Sequence, residues 1–336
     1  MRDYFLRRLL LIPPTFIGVT LLVFAITRFV PGGPLERAIM EARTSETRRG
    51  GDMGRSSTSE EQLADLKAYY GLDKPIPVAY VQWLGKVVRC DLGTSHRFNE
   101  PVRDLITQRL PVSLVYGGIT LALTYGVCIP LGIAKAIRHR TGFDNATSAL
   151  IFFGYAVPGY ALGAILIVFL AARAEWFPMS GFVGENFSDL SIWGKVVDLA
   201  HHAVLPLVCY AITSFAFLTM LMKNQLMDNL AADFVRTAVA KGVSFKTAVL
   251  RHALRNSLIP LATHLGASLT VFVGGSYLIE FIFDINGMGL LGVQSIFDRD
   301  YPSVMGVLVV SSLVLLTGNV ISDMLIALID PRVRFK

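Results

Sequence analysis

The chain has 336 residues, of which 53% are hydrophobic and 17% charged, against about 25% charged in an average soluble domain. Its mean hydropathy is +0.54, and long uncharged runs alternate with Lys- and Arg-rich gaps, which excludes an ordinary soluble globule and reads as membrane spans joined by wet loops. The net charge of +6 lies in short clusters beside those runs, with no recognition motif, so nucleic acid is excluded as a partner.

Six apolar runs are long enough to cross about 30 Å of hydrocarbon at 1.5 Å per residue. They are Leu9 to Val30, Val112 to Ala134, Ser148 to Ala172, Ala203 to Met222, Leu258 to Phe283 and Ser303 to Leu328. The first follows Arg7 and Arg8 but exceeds a signal-peptide core of about 7–15 residues, and no small-x-small site follows, so it reads as a retained span. Lys and Arg crowd one set of flanks: Arg2, Arg7 and Arg8; Lys135, Arg138 and Arg140; Lys223 through Arg255; and Arg332, Arg334 and Lys336. The charge rule makes that side, with both termini, cytoplasmic.

Residues 1–30 are thus an N-terminus and first span, 31–111 a long external loop, and 112–336 a five-helix core containing a cytoplasmic segment at 223–257. Within the loop, Glu41 to Ser59 is polar and reads as flexible. Glu60 to Tyr70 has helical spacing, with Ser59 as a cap. Lys74 to Pro77 reads as a stiff connector, and Tyr80 to Val88 as an amphipathic interfacial stretch. In the core, Pro130, Pro158, Pro206 and Pro260 invite kinks. Gly154, Gly159 and Gly163, and later Gly266, Gly274 and Gly275, thin helix faces for close packing. Cys128 and Cys209 fall in apolar runs and read as small buried hydrophobes; no Cys-x-x-Cys spacing marks zinc or redox chemistry.

The segment KNQLMDNLAADFVRTAVAKGVSFKTAVLRHALRNS over 223–257 is too polar for the bilayer and too patterned for a slack linker. Its spacing predicts a helix over Asp228 to Ala240, a stop at Gly242, and a second helix over Val243 to Leu254 with Ser244 near its cap. Apolar Phe245, Val249 and Leu250 alternate with Lys246, Arg251 and Arg255. Composition leaves two readings open: docking of a soluble partner, or adsorption to anionic membrane lipid.

The run from Asp233 to Gly242, followed by Arg251-His252-Ala253-Leu254-Arg255-Asn256 and Pro260, resembles the coupling motif of peptide-type ABC importer permeases. Arg236-Thr237-Ala238 replaces the Glu-Ala-Ala of the general importer motif, as in the oligopeptide and dipeptide branch. Gly274 to Phe283, Asn286 to Leu291, Arg299 to Pro302 and Asp330 to Arg334 resemble the same branch. So do Pro31 to Pro34, Leu110 to Ser113, Pro130 to Ile133 and Met222 to Asn224, which look like the Yej-type subgroup. The resemblance covers nearly the whole chain.

It implies an all-α integral membrane bundle of six transmembrane helices, the type I ABC importer permease fold, in a bacterial inner membrane. It also implies import of oligopeptides, including peptide–nucleotide antibiotics of the microcin C kind, or of dipeptides or another small substrate of the same branch. The implied partners are a second homologous permease subunit, one or two ATP-binding subunits and an extracytoplasmic peptide-binding protein. Arg236, Thr237, Ala238, Lys241, Gly242, Arg251, His252, Arg255 and Asn256 would couple to the ATPase.

No G-x-x-x-x-G-K-[ST] loop occurs, so no cofactor is expected in this chain and ATP and Mg would sit on the partner subunits. Glu280, at the outer end of the fifth run, is a candidate for the substrate pathway with Gly274 and Gly275, or for structural pairing with a neighbouring span. Asp323 is expected to meet water or an Arg, and Arg28 to snorkel. His201, His202 and His264 form no metal-binding pattern. Trp83, Trp176 and Trp193 read as interfacial anchors. An intramembrane hydrolase using His264 or Glu280, and a passive channel, are the competing classes.

Overall fold

The computed structural model describes residues 2–29, 74–269 and 276–329. The tract Glu41 to Ser59, the expected helix Glu60 to Tyr70, Gly274, Gly275 and the stretch Asp330 to Arg334 lie outside the described residues. Helix α1 is Arg2–Phe29, α2 Ile76–Val88, α3 Val102–Ile137, α4 Gly142–Ala156, α5 Gly159–Leu166 and α6 Ile192–Ala231. Then come α7 (Asp233–Ala240), α8 (245–257), α9 (Ile259–Ser268), α10 (Tyr277–Ile282), α11 (Met288–Phe297) and α12 (Tyr301–Ile329). No strand occurs among the described residues, only an isolated bridge between Thr94 and Pro101.

Among the described residues four helices are long and apolar enough to cross a membrane, or five if one bent pair counts as a span. That pair corrects the third expected run, which is not one straight helix. α4 and α5 meet at 89°, because Pro158 pushes Val157 into an extended conformation (φ −93°, ψ 120°) and so ends α4. α5 then passes into a π-helical turn, Ile167–Arg173. Pro130 and Pro206 stay inside uninterrupted α3 and α6, whereas Pro260 sits in the first turn of α9, where its missing N–H costs nothing. The fifth expected run is represented by α9 and α10, with 270–275 between them outside the described residues. Pro77 also lies within the first turn of α2 and not in a connector.

The chain divides into two compact units. The larger comprises Met1–Leu10, Arg109–Leu290 and Leu313–Lys336. In it, α3 is apolar outside and polar inside: Leu114, Ile119, Leu123 and Val127 are exposed, while Ser113, Tyr116, Thr120, Thr124, Cys128 and Lys135 are buried. A helix that turns its apolar face outward is built for an apolar solvent. At 36 residues α3 is about 54 Å long and at 40 residues α6 is about 60 Å, so both exceed the hydrocarbon thickness. Glycines permit close contact: a Cβ on Gly132 would meet Met222 at 2.6 Å and one on Gly163 would meet Phe283 at 3.0 Å. Asp323 pairs with Arg8 at 3.0 Å.

The smaller unit comprises Leu11–Gln108 and Leu291–Ser312. Phe24 of α1, Ala79 and Tyr80 of α2, and Met305 of α12 form its core, with Trp83 packed against them. Tyr80 bonds to Thr20 across 2.8 Å, and the Arg28 guanidinium lies over the Phe24 ring. Buried Asp300 accepts from Ser95 Oγ at 2.6 Å and from the His96 N–H at 3.1 Å, fixing the turn before α3. Burial pushes the His96 imidazole below its ordinary pKa, against the opposing pull of Asp300.

Gly266 and Gly318 set the spacing of α9 and α12. A Cβ on Gly266 would lie 2.8 Å from the Gly318 carbonyl oxygen, and one on Gly318 would lie 2.7 Å from that of Gly266. Because the obstacles are backbone, they cannot rotate away. Gly266→Val is therefore expected to destabilise the folded chain by about 1–3 kcal/mol, read as a lower thermal midpoint in detergent; an unchanged midpoint contradicts this packing.

Candidate functional site

The basic segment after α6 is folded, and its first boundary differs from the expected one. Residues 228–231 belong to α6, which ends at Ala231. Ala232 is extended (φ −72°, ψ 147°), and its carbonyl accepts the N–H groups of Val235 at 3.1 Å and Arg236 at 3.3 Å, starting α7. Gly242 has φ +89°. Its N–H donates to the Val239 carbonyl at 2.9 Å, and the Val243 N–H reaches back to Ala238 at 3.1 Å. These are the two bonds of a Schellman cap, which needs a left-handed residue at this position. An added Cβ on Gly242 would meet nothing within 4 Å, so the demand for glycine is conformational and not steric.

Ser244 caps α8 by accepting the Thr247 N–H at 3.4 Å, as its position in the sequence indicates. α8 then widens into a π-helical turn over Ala248–Ala253, and continues through Leu254–Ser257. Such turns recur where helices serve function. The end of α8 is fastened to α6: Ser257 Oγ donates to the Gln225 carbonyl at 3.1 Å, and Asn229 Nδ2 donates to Ser257 Oγ at 3.2 Å. Arg255 Nε donates to the Ile329 carbonyl of α12.

This arrangement gives the segment two distinct faces. The inner face consists of Val235, Ala248, Val249 and Ala253, buried against Ala136, Met222, Leu226 and Leu261. Burying Val235 and Val249 contributes about 1.5–3 kcal/mol each, which fixes helices too short to persist alone. The outer face exposes Phe234, Val239, Phe245 and Leu250, together with Arg236, Thr237, Lys241, Gly242, Arg251, His252 and Arg255; Ala238 and Asn256 are half-buried. Arg236 and Asp233 approach only to 4.0 Å with both side chains exposed to solvent, a pair worth little. The structure thus brings the sequence-predicted coupling residues onto two short helices, α7 and α8, and the turn at Gly242 between them. The signals that sequence reading missed are the break at Ala232, which no glycine or proline announces, and the Ser257–Gln225–Asn229 fastening.

Glu280 lies in a separate cluster and is 1% exposed. Tyr210 Oη donates to its Oε1 at 3.2 Å, and the Leu290 N–H donates to its Oε2 at 2.6 Å. Gly287 leaves room for this carboxyl, which a Cβ there would meet at 2.6 Å. The Met288 N–H, next in the same turn, donates to Ser113 Oγ at 2.8 Å. His264 contacts Ser268 Oγ at 3.0 Å and the Phe217 ring. Among the described residues no group of three or more His, Cys, Asp or Glu side chains is placed to hold a metal ion.

Residues 128–335 match the family described as "Binding-protein-dependent transport system inner membrane component". The chain is 37% identical to the peptidoglycan transport system permease protein YejB of Agrobacterium fabrum, covering 100% of this chain and 99% of that one. It is 35% identical to the oligopeptide transport system permease protein AppB of Bacillus subtilis, with 100% of each covered. It is 31% identical to the dipeptide transport system permease protein DppB of Escherichia coli, again with 100% of each covered.

The cap at Gly242 makes a graded series. Gly242→Ala must hold a left-handed alanine at a cost of about 1–2 kcal/mol, whereas Gly242→Pro fixes φ near −65° and deletes the capping N–H. Limited trypsin digestion should then cleave after Lys246, whose following bond is the same in all three chains, in the order proline, alanine, wild type, with α3 and α6 intact. Equal cleavage in all three would contradict the cap.

Proposed function

Because the chain belongs to the family of inner-membrane components of binding-protein-dependent transport systems, we propose that it is a pore-forming subunit of an ATP-driven importer of oligopeptides. The observation that carries this is the two-faced segment over 233–257. One face is packed into the ends of α3 and α6, and the other presents Phe234, Val239, Phe245 and Leu250 among basic groups. An exposed apolar patch rimmed by charge fits a partner's groove, and rigid attachment lets movement of that partner reach the spanning helices.

In this reading the segment faces the cytoplasm, as the Lys and Arg distribution supports. One or two ATP-binding subunits carry ATP and Mg, and one such subunit seats on this segment. A second homologous permease completes the pore, and an extracytoplasmic binding protein delivers cargo to the opposite side. Arg236, Thr237, Ala238, Lys241, Gly242, Arg251, His252, Arg255 and Asn256 transmit force and make or break no bonds. Cargo is the class shared by the relatives' names, which have a peptide portion in common; microcin C-like peptide–nucleotides are the narrower expectation. Glu280, with a donor on each carboxylate oxygen, is assigned to structural pairing at the turn between α10 and α11, in preference to the substrate pathway.

The reading is tested by reconstituting the chain with its partner subunits and binding protein in proteoliposomes and following labelled tetra-alanine. Uptake should require ATP and should stop when the ATP-binding subunits are omitted; continued uptake without them would reinstate the passive channel. Deleting the gene should protect cells from a microcin C-like antibiotic if the narrower cargo assignment is correct, and unchanged sensitivity would remove it.

A further inference from the structure

Asp144 stands in the first turn of α4, 2% exposed, at the centre of a charge cluster that the coupling motif does not include. Lys223 of α6 donates to both its carboxylate oxygens at 2.8 Å. Lys135 of α3 approaches Oδ1 at 3.1 Å. The Arg140 N–H donates to Oδ2 at 3.1 Å, and His139 Nδ1 lies 3.3 Å from the same oxygen. Lys135 is itself fully buried. Its ammonium also donates to the Asp144 carbonyl at 2.9 Å and to Thr147 Oγ1 and Ser148 Oγ at 2.8 Å each. One carboxylate therefore holds the ends of three helices: α3, α4 and α6.

The position of this cluster relative to the docking segment gives it meaning. Lys223 is next to Met222 and one turn before Leu226, the residues on which Val235, Ala248 and Val249 are packed. Lys135 is next to Ala136, in the same core. Any displacement of α7 and α8 that carries α6 must therefore act on Asp144, and Asp144 is part of α4. α4 is in turn the first half of the bent pair that ends at Val157 and Pro158. Well-packed apolar residues would hold three helix ends together at least as stably as a buried ion cluster does, so stability alone does not account for it. What an ion cluster adds is register: the carboxylate accepts both ammonium groups in one arrangement and loses them if a helix slides.

The geometry assigns to Asp144 the role of a positioning residue that transmits motion of the docking segment to the bent α4–α5 pair, with Lys135 and Lys223 as its two fixed points. This assignment rests on the importer reading above. It makes Asp144 necessary for linking ATP hydrolysis to transport while leaving assembly and hydrolysis to other residues.

The test uses the complete transporter in proteoliposomes, measuring ATP hydrolysis and labelled tetra-alanine uptake in the same preparation. Asp144→Asn leaves two buried ammonium groups without a counter-charge, so it is compared with Asp144→Asn combined with Lys223→Met, which restores the net charge of the wild-type cluster and leaves Lys135 on its carbonyl and hydroxyl acceptors. The double variant should assemble with its ATP-binding subunits and hydrolyse ATP, yet import about tenfold less peptide per ATP, or less still. Asp144→Glu, which keeps the charge, should recover most of that ratio. A wild-type ratio in the double variant would overturn the proposal, and so would failure of both asparagine variants to assemble, which would assign the cluster to folding. Import without ATP by the wild-type complex would instead overturn the importer reading, and this proposal with it.

Discussion

The packing of Val235, Ala248, Val249 and Ala253 against Ala136, Met222 and Leu226 decides what the basic segment is. Without that apolar contact, a run with this many charges would be a tethered loop, and its movement would be lost in the slack. With it, α7 and α8 become an extension of α3 and α6, and the exposed side chains on their far side acquire a fixed geometry. The Schellman cap at Gly242 and the serine cap at Ser244 then determine how the two short helices meet.

The same distribution of polarity runs through the larger unit. Apolar side chains of α3 point outward and its hydroxyls, thiol and ammonium point inward, because a hydrocarbon solvent gives no reward for hiding leucine but penalises an exposed charge. Charged groups inside therefore come with partners. Asp144 has its two lysines, Asp323 has Arg8, and Glu280 has Tyr210 and the Leu290 N–H. The Lys223–Asp144, Arg8–Asp323 and Tyr210–Glu280 contacts join elements far apart in sequence, so each doubles as a tie between helices.

Some of this was legible in the amino-acid sequence and some was not, for physical reasons that differ by residue. Glycine at 242 and serine at 244 announce their roles, since few residues accept a positive φ or cap a helix. The break at Ala232 does not, because alanine is the strongest helix former and only tertiary packing can stop a helix there. Pro158 was visible as a candidate kink, but Pro130 and Pro206 carry the same letter inside unbroken helices; surroundings decide which proline breaks. Glu280 was legible as a costly acid at membrane depth, though not its capture by Tyr210, 70 positions away. Asp144 meets Lys223 from 79 positions away, and no local pattern encodes that meeting.

The central claim is that the outer face of α7 and α8 is a docking surface for an ATP-binding subunit. A photo-activated cross-linker placed at Val239 tests it directly, with Val127, exposed on the apolar face of α3, as the control. In membranes containing the whole transporter, the account predicts a covalent adduct with the ATP-binding subunit from position 239 and none from position 127. An adduct with lipid alone from position 239 would contradict it and return the segment to a membrane-surface helix.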